Sequence, residues 1–239
     1  MQRDKGTIAV GGREMVLSKN MQKLVAGSST IRKLFEEGIE LAKEVGAENV
    51  YDFSLGNPAA PVPEEVKKSI YDILENRNAN FVHCYMPNAG YPEVREKVAA
   101  NLNKKYNSSF TKDDIIMTVG AAGGINCVLR SLLEPEDEVL CFAPFFGEYN
   151  SYVMNFGGNL KVVPADYETF QLNVEEADKY ITERTKAVII NNPNNPSGVV
   201  YNKETLIRLQ KMLEKAEERI GHPIYVLSDE PYRELAYDG

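Results

Sequence analysis

A chain of 239 residues with 43% hydrophobic content can bury a full core as one large domain, or as one domain with a smaller attachment, which excludes intrinsic disorder. Lys and Arg number 27 against 35 Asp and Glu, so the formal net charge of -8 argues against a nucleic-acid or anionic-membrane partner and leaves any anionic ligand to a local site. No stretch approaches the roughly 20 consecutive apolar residues of a membrane span, and the N-terminus lacks the apolar core of a secretory signal, so the expected location is the cytoplasm.

In chain order, residues 1–14 show little periodicity and read as an upstream extension, with Met15 the more natural start. From Ser28 or Ser29 the run TIRKLFEEGIELAKEVG places apolar residues at 31, 34, 35, 39, 41, 42 and 45 behind a hydroxyl cap, the pattern of an amphipathic helix that Gly46 ends. A short apolar run at 50–55 breaks at GNPAAPVP, a loop by its Gly and Pro content. Helices are expected at 63–75 and 92–106, each opening on a Pro suited to the first turn. From residue 115 the runs IIMTV, EVLCF, LKVVP, AVIIN and IYVLS alternate with helical stretches. Their spacing suits crossovers and is too long for hairpins. The expected fold is therefore α/β, with a mostly parallel central sheet of five strands flanked by helices and an N-terminal helical segment. Cys84, Cys127 and Cys141 are odd in number and have no CxxC spacing, so they read as reduced packing residues and no metal site is expected. His83 and His222 show no partner carboxylate and read as structural or solvated.

In sheets of this kind ligands gather where the strands end. After the first run, Gly120, Ala121, Ala122, Gly123 and Gly124 stand between strand and helix, where small residues let a phosphate approach backbone N–H groups at a helix start. A tight turn would use the same residues. The second run leads into Phe142, Phe145, Phe146, Tyr149 and Tyr152, one of whose rings can stack on a flat heterocycle, although core packing accounts for most of them. The fourth ends in NNPNNPSG, where an Asn amide held by prolines can donate to a phenolate oxygen; a bare turn is the alternative. The fifth ends in SDEPY. Asp229 there either pairs with a protonated ring nitrogen or caps the next helix, and the Tyr232 hydroxyl follows three residues on.

These loops, in this order, resemble the class I/II (fold type I) aminotransferases that depend on pyridoxal phosphate (PLP), the aspartate aminotransferase superfamily. NPSG at 195–198 and SDEPY at 228–232 are the most specific pieces; LGNP at 55–58 and YMPNAGYPEVREKVA at 85–99 are similar to two further segments of that family. The resemblance implies that the backbone of Gly120, Ala121 and Ala122 holds the PLP phosphate and that Phe146, where the family commonly has Trp or Tyr, stacks on the ring. Asn195 and Tyr232 would contact the ring's O3′, and Asp229 would pair with the pyridine nitrogen. Gly56, with Asn195, would lie beside the substrate, and Tyr85 would reach the phosphate of a neighbouring subunit, which implies a homodimer. Residues 1–14 are then an extension, 15–62 an N-terminal arm or part of a small domain, and 63–239 an incomplete PLP-binding large domain.

The family's Schiff-base lysine stands on a later strand, and no lysine follows Lys215 here, so no catalytic residue is assigned and the 239-residue chain by itself is expected to be inactive. Lys203, Lys211 and Lys215 read as solvated charges of a polar helix. The implied activity of the parent is amino-group transfer between an amino acid and a 2-oxo acid, aspartate or aromatic in type. A carbon–sulfur lyase or an aminocyclopropane carboxylate synthase-like enzyme would share the same loops. A non-catalytic PLP-binding module is the remaining reading, and residues 1–27 are too short and too weakly basic for the DNA-binding domain such modules carry.

Overall fold

The computed structural model describes residues 8–10, 13–15, 18, 21–22, 30–51, 56 and 60–237. The chain divides into two compact units, Met1–Cys84 and Tyr85–Gly239. The expected helix start at Ser28 or Ser29, residues 52–55, and LGNP apart from Gly56 lie outside the described residues.

In the first unit, β1 (Ile8–Val10) pairs antiparallel with β2 (Arg13–Met15), so residues 8–10 and 13–14 of the unpatterned N-terminal stretch and Met15 share one ladder. Helix α1 (Thr30–Val45) stops at Gly46, whose φ of 90° is open to glycine at no steric cost. Helix α2 (Glu64–Asn76) begins directly after Pro63 with Glu64 and Glu65 in the first turn, where the helix dipole favours acids, and α3 (Ala79–Val82) is capped by the Asn78 side chain.

The second unit opens with α4 (Pro92–Tyr106), which Asn107 ends in the left-handed conformation. Next come α5 (Gly120–Leu132), β3 (Glu138–Phe142), α6 (Tyr149–Met154), β4 (Asn159–Val163), α7 (Val174–Ala177), β5 (Thr185–Asn191), α8 (Lys203–Ile220) and β6 (Tyr225–Asp229). The sheet runs β4-β3-β5-β6, and every pair is parallel. An α/β fold with a parallel sheet was expected, and the chain has it. One strand of the expected five is absent. Residues 115–119 are extended without a ladder: Met117 donates its N–H to the Ala89 carbonyl (2.9 Å), and the Ile115 carbonyl accepts from Arg95 Nε (2.8 Å). Their backbone groups go to the loop before α4 and to α4 itself, so the apolar run IIMTV carries a strand's composition without a strand's partner.

The central strands bury both faces, as parallel strands under helices must. Along β3 and β5 the side chains alternate. Val139, Cys141, Ala187 and Ile189 pack with Leu129 of α5 and with Tyr149 and Val153 of α6. Leu140, Phe142, Val188 and Ile190 pack on the other face with Leu209, Leu213 and Ala216 of α8. The two layers therefore fix where β3, β5 and β6 end, and those ends carry the residues that matter next.

Candidate functional site

The end of β5 is held to the end of β6 by a single side chain. Asn191, buried, accepts the Asn195 N–H on Oδ1 at 2.6 Å and donates from Nδ2 to the Asp229 carbonyl at 2.8 Å; the Asn192 N–H donates to the same carbonyl at 3.2 Å. Asn194 ties the same loop to the end of β3, donating to the Pro144 carbonyl (3.3 Å) and to the Tyr201 hydroxyl (3.1 Å) while its Oδ1 accepts from Ser197 Oγ (2.7 Å) and N (3.1 Å). Burial pushes the Tyr201 hydroxyl up to about 12, so it stays protonated inside this network. With both flanking asparagines consumed, Asn195 is the one left to face outward, and its Nδ2 donates to the Tyr232 hydroxyl at 3.2 Å.

Tyr232 lies on the turn after β6. That turn is tied to α4, where Lys105 Nζ meets Glu234 at 2.5 Å and the Arg233 guanidinium stands 5.3 Å from the centre of the Tyr106 ring. Asp229 closes β6. Its Oδ2 accepts from the Tyr149 hydroxyl at 2.6 Å, whereas its Oδ1 is buried without a hydrogen-bond partner. Burial first, and the Asp229 carboxylate second, raise the Tyr149 hydroxyl well above the usual phenol range, so it acts as a donor.

Opposite these strand ends stands the start of α5. Gly120 has φ +70°, and the Thr118 hydroxyl donates to its carbonyl at 2.9 Å. Cβ atoms at Gly123 and Gly124 would stand 3.5 and 3.4 Å from the Thr118 side chain, at ordinary contact distance, so Thr118 packs beside the first turn. A first turn leaves N–H groups without intrahelical acceptors and carries the positive end of the helix dipole.

These parts converge on one cavity of about 240 Å³, many times what a single water needs. Of the residues assigned a cofactor role from the sequence, Ala121, Ala122, Phe146, Asn195, Asp229 and Tyr232 line it. Ile125, Tyr152, Asn191 and Pro231 complete the lining. Gly120 starts the helix but is not itself in the wall, and Tyr85 is fully exposed. Gly56 is exposed and belongs to the first unit. Sequence reasoning placed Tyr149 only among the aromatics and did not connect it with Asp229, because 80 positions separate the two. Among the described residues there is no cluster of side chains fit to hold a metal ion, and no helix is long and apolar enough to cross a membrane.

The family model for aminotransferase class I and II matches residues 47–239. The chain belongs to that family. Relatives agree: it is 36% identical to aromatic-amino-acid aminotransferase 2 of Thermococcus litoralis, over 94% of this chain and 54% of the relative. It is 35% identical to a probable aspartate/prephenate aminotransferase of Aquifex aeolicus, over 82% and 48%. Among solved structures, an aminotransferase from Eubacterium rectale superposes with a TM-score of 0.89 at 42% identity, covering 94% of this chain and 57% of that one. Aspartate aminotransferase from Thermus thermophilus, solved with maleate, gives 0.79 at 30%, covering 94% and 56%. The chain thus spans about half the length of the aminotransferases it matches, a family that works with PLP.

Proposed function

We propose that the protein carrying this chain is a PLP-dependent aminotransferase that moves an amino group between an amino acid and a 2-oxo acid, with an aspartate or aromatic donor. The observation that carries the reading is Asp229 Oδ1. A buried carboxylate oxygen without a partner is costly, by about 1–3 kcal/mol or more, unless a ligand supplies the missing donor. Asp229 is among the residues that line a cavity, together with a helix start and the exposed Phe146. A protonated pyridine nitrogen answers the carboxylate, a phosphate answers the helix start, and a flat ring answers Phe146, so the residues present fit PLP.

When bound, PLP supplies an electron-withdrawing pyridinium that stabilises negative charge developing at the α-carbon of an amino acid. The chain's own residues do the rest of the positioning. Asp229 keeps the proton on the ring nitrogen. Asn195 and Tyr232, already bonded to each other, present an amide and a hydroxyl to O3′. The backbone of Gly120, Ala121 and Ala122 takes the phosphate, and Phe146 excludes water from one ring face. Gly56 would adjoin the substrate carboxylate, and Tyr85, whose side chain is fully exposed, would reach the phosphate of a second subunit in a homodimer. On this reading residues 63–239 belong to the large, cofactor-holding domain, and 15–62 to an arm or small domain. The names of the relatives, aromatic, aspartate and aspartate/prephenate, support the donor class.

The test is made on the complete apoprotein. PLP is expected to bind stoichiometrically, and Asp229→Asn is expected to weaken it at least tenfold, the scale of one lost charged interaction. With PLP supplied, 15N from labelled aspartate or tyrosine should appear in the amino acid formed from an added 2-oxo acid. Release of free ammonia or thiol instead would point to a lyase, and binding without turnover to a sensor. Failure to bind PLP at all would remove the proposal.

A further inference from the structure

We propose that Lys105 and Glu234 are positioning residues of this site: their ion pair latches the turn after β6 to the end of α4 and so holds Tyr232 where its hydroxyl reaches O3′ of PLP. The inference rests on the PLP reading above and extends it to two residues outside the cavity wall.

The turn that carries Tyr232 has an anchor on its upstream side. The Asp229 carbonyl accepts from Asn191 Nδ2 at 2.8 Å and from the Asn192 N–H at 3.2 Å, which fixes the end of β6 but not the residues that follow. Within the turn, the Glu230 carbonyl accepts the Arg233 N–H at 3.3 Å and the Tyr232 carbonyl accepts the Leu235 N–H at 2.8 Å. The segment is therefore one hydrogen-bonded piece, and a hold on Glu234 is a hold on Tyr232. Helix α4 supplies that hold from 129 positions away: Lys105 Nζ lies 2.5 Å from both carboxylate oxygens of Glu234. The next residue, Tyr106, backs it with a ring whose centre stands 5.3 Å from the Arg233 guanidinium and 5.5 Å from Lys105 Nζ. Arg233 in turn reaches Glu234 Oε1 and Glu230 Oε2, each at 3.4 Å.

An exposed ion pair adds little to folding stability, because water screens it and two long side chains lose freedom, so the effect of this one lies in the loop geometry it selects. Both partners are charged at neutral pH: the bond to Glu234 raises the Lys105 ammonium above its ordinary value, and the same bond lowers the Glu234 carboxyl. What the latch holds in place is a single proton. The Tyr232 oxygen accepts from Asn195 Nδ2 at 3.2 Å, which leaves the phenolic proton to be given to O3′, and a bond of that kind favours the ionised form of O3′. Hydrogen bonds fail steeply with distance, so a turn displaced by about 1 Å would release O3′.

The experiment is made on the complete protein, with the PLP dissociation constant as one readout and the absorbance of bound PLP, titrated against pH, as the other. Lys105→Gln removes the charge and keeps a long polar side chain. It is expected to raise the dissociation constant about threefold, the scale of one exposed pair, and to move the absorbance midpoint toward higher pH, because O3′ loses a donor. Lys105→Arg should keep both readouts at the parent values, and Lys104→Gln, which removes the neighbouring charge of the same last turn, should move neither. In a Tyr232→Phe background, Lys105→Gln should add no further loss. An unmoved midpoint, an equal loss in both backgrounds, or an equal effect of Lys104→Gln overturns the inference and leaves Lys105 and Glu234 an ordinary surface pair. If Asp229→Asn weakens PLP and Lys105→Gln does not, this inference falls and the PLP reading stands; if Asp229→Asn changes nothing, both fall.

Discussion

Asn191 shows how much a single amide can organise. It is buried, and both its polar atoms are spent on backbone groups of other segments, the Asn195 N–H and the Asp229 carbonyl. Asn191→Ala leaves the Asn195 N–H unpaired and the Asp229 carbonyl with the Asn192 N–H alone, in a poorly solvated place, which should cost about 1–3 kcal/mol. Urea unfolding should show the loss as a lower midpoint with an unchanged slope. PLP affinity should fall as well, because Asn195 loses the bond that aims it. A variant as stable as the parent would mean that the loop is held by Asn194 alone. Residues of this kind were half legible. The run NNPNNP announced more polar chemistry than a turn requires, and Asp229 at a strand end invited a charged partner, yet the pairing of Asp229 with Tyr149 was invisible. Local sequence reports which groups need partners. Contacts between residues 80 positions apart arise only when β3 and β6 are placed in one sheet.

At the scale of elements, what was legible depended on whether an element's signal was self-contained. Helix α8 carries its own: the Asn202 side chain accepts the Thr205 N–H at 2.7 Å, and Gly221 closes it at φ 80°. Asn202→Ala should therefore cost about 1 kcal/mol, read as a lowered melting temperature, since a cap acts locally and α8 covers one face of the sheet. Helix α5 offers a contrasting case. At Gly120 a Cβ would meet no atom within 4 Å, so Gly120→Ala is strained only through its backbone at φ +70°, by about 1–2 kcal/mol. That penalty bears on the helix start, so the variant should also bind inorganic phosphate and PLP less tightly; a variant that unfolds more easily but binds as before would separate the turn from the anion site. Strands are not self-contained. IIMTV and AVIIN look alike in composition, but only the second finds neighbours on both sides, β3 and β6, whereas residues 115–119 pair with no strand among those described. The antiparallel pair of β1 and β2 went unread for a different reason, because three residues per strand are too few to show a period.

For the whole molecule, the buried core decides how stability depends on pH. The Cys141 thiol, enclosed in the layer under α5 and α6, is pushed by burial from 9.0 to about 12, and the Tyr201 hydroxyl, in the layer under α8, from 10.0 to about 12. Both shifts run the same way. The unfolded chain gives up these protons at the ordinary values while the folded chain holds them, so above the unfolded value the folded state binds more protons and rising pH favours unfolding. The stabilisation they provide is complete below about pH 9 and is lost progressively as pH climbs through 9 toward 12. Melting temperature should accordingly decline across that window. Cys141→Ala removes the earlier of the two contributions, so the variant, though less stable at neutral pH through lost packing, should begin its alkaline decline nearer pH 10 than pH 9. Parent and variant differ in no other ionisable group, so the difference between the two curves isolates the thiol. Parallel curves from pH 9 to 12 would show that Cys141 meets solvent in the folded state, and with it that the β3 layer is looser than its packing around Leu129, Tyr149 and Val153 describes.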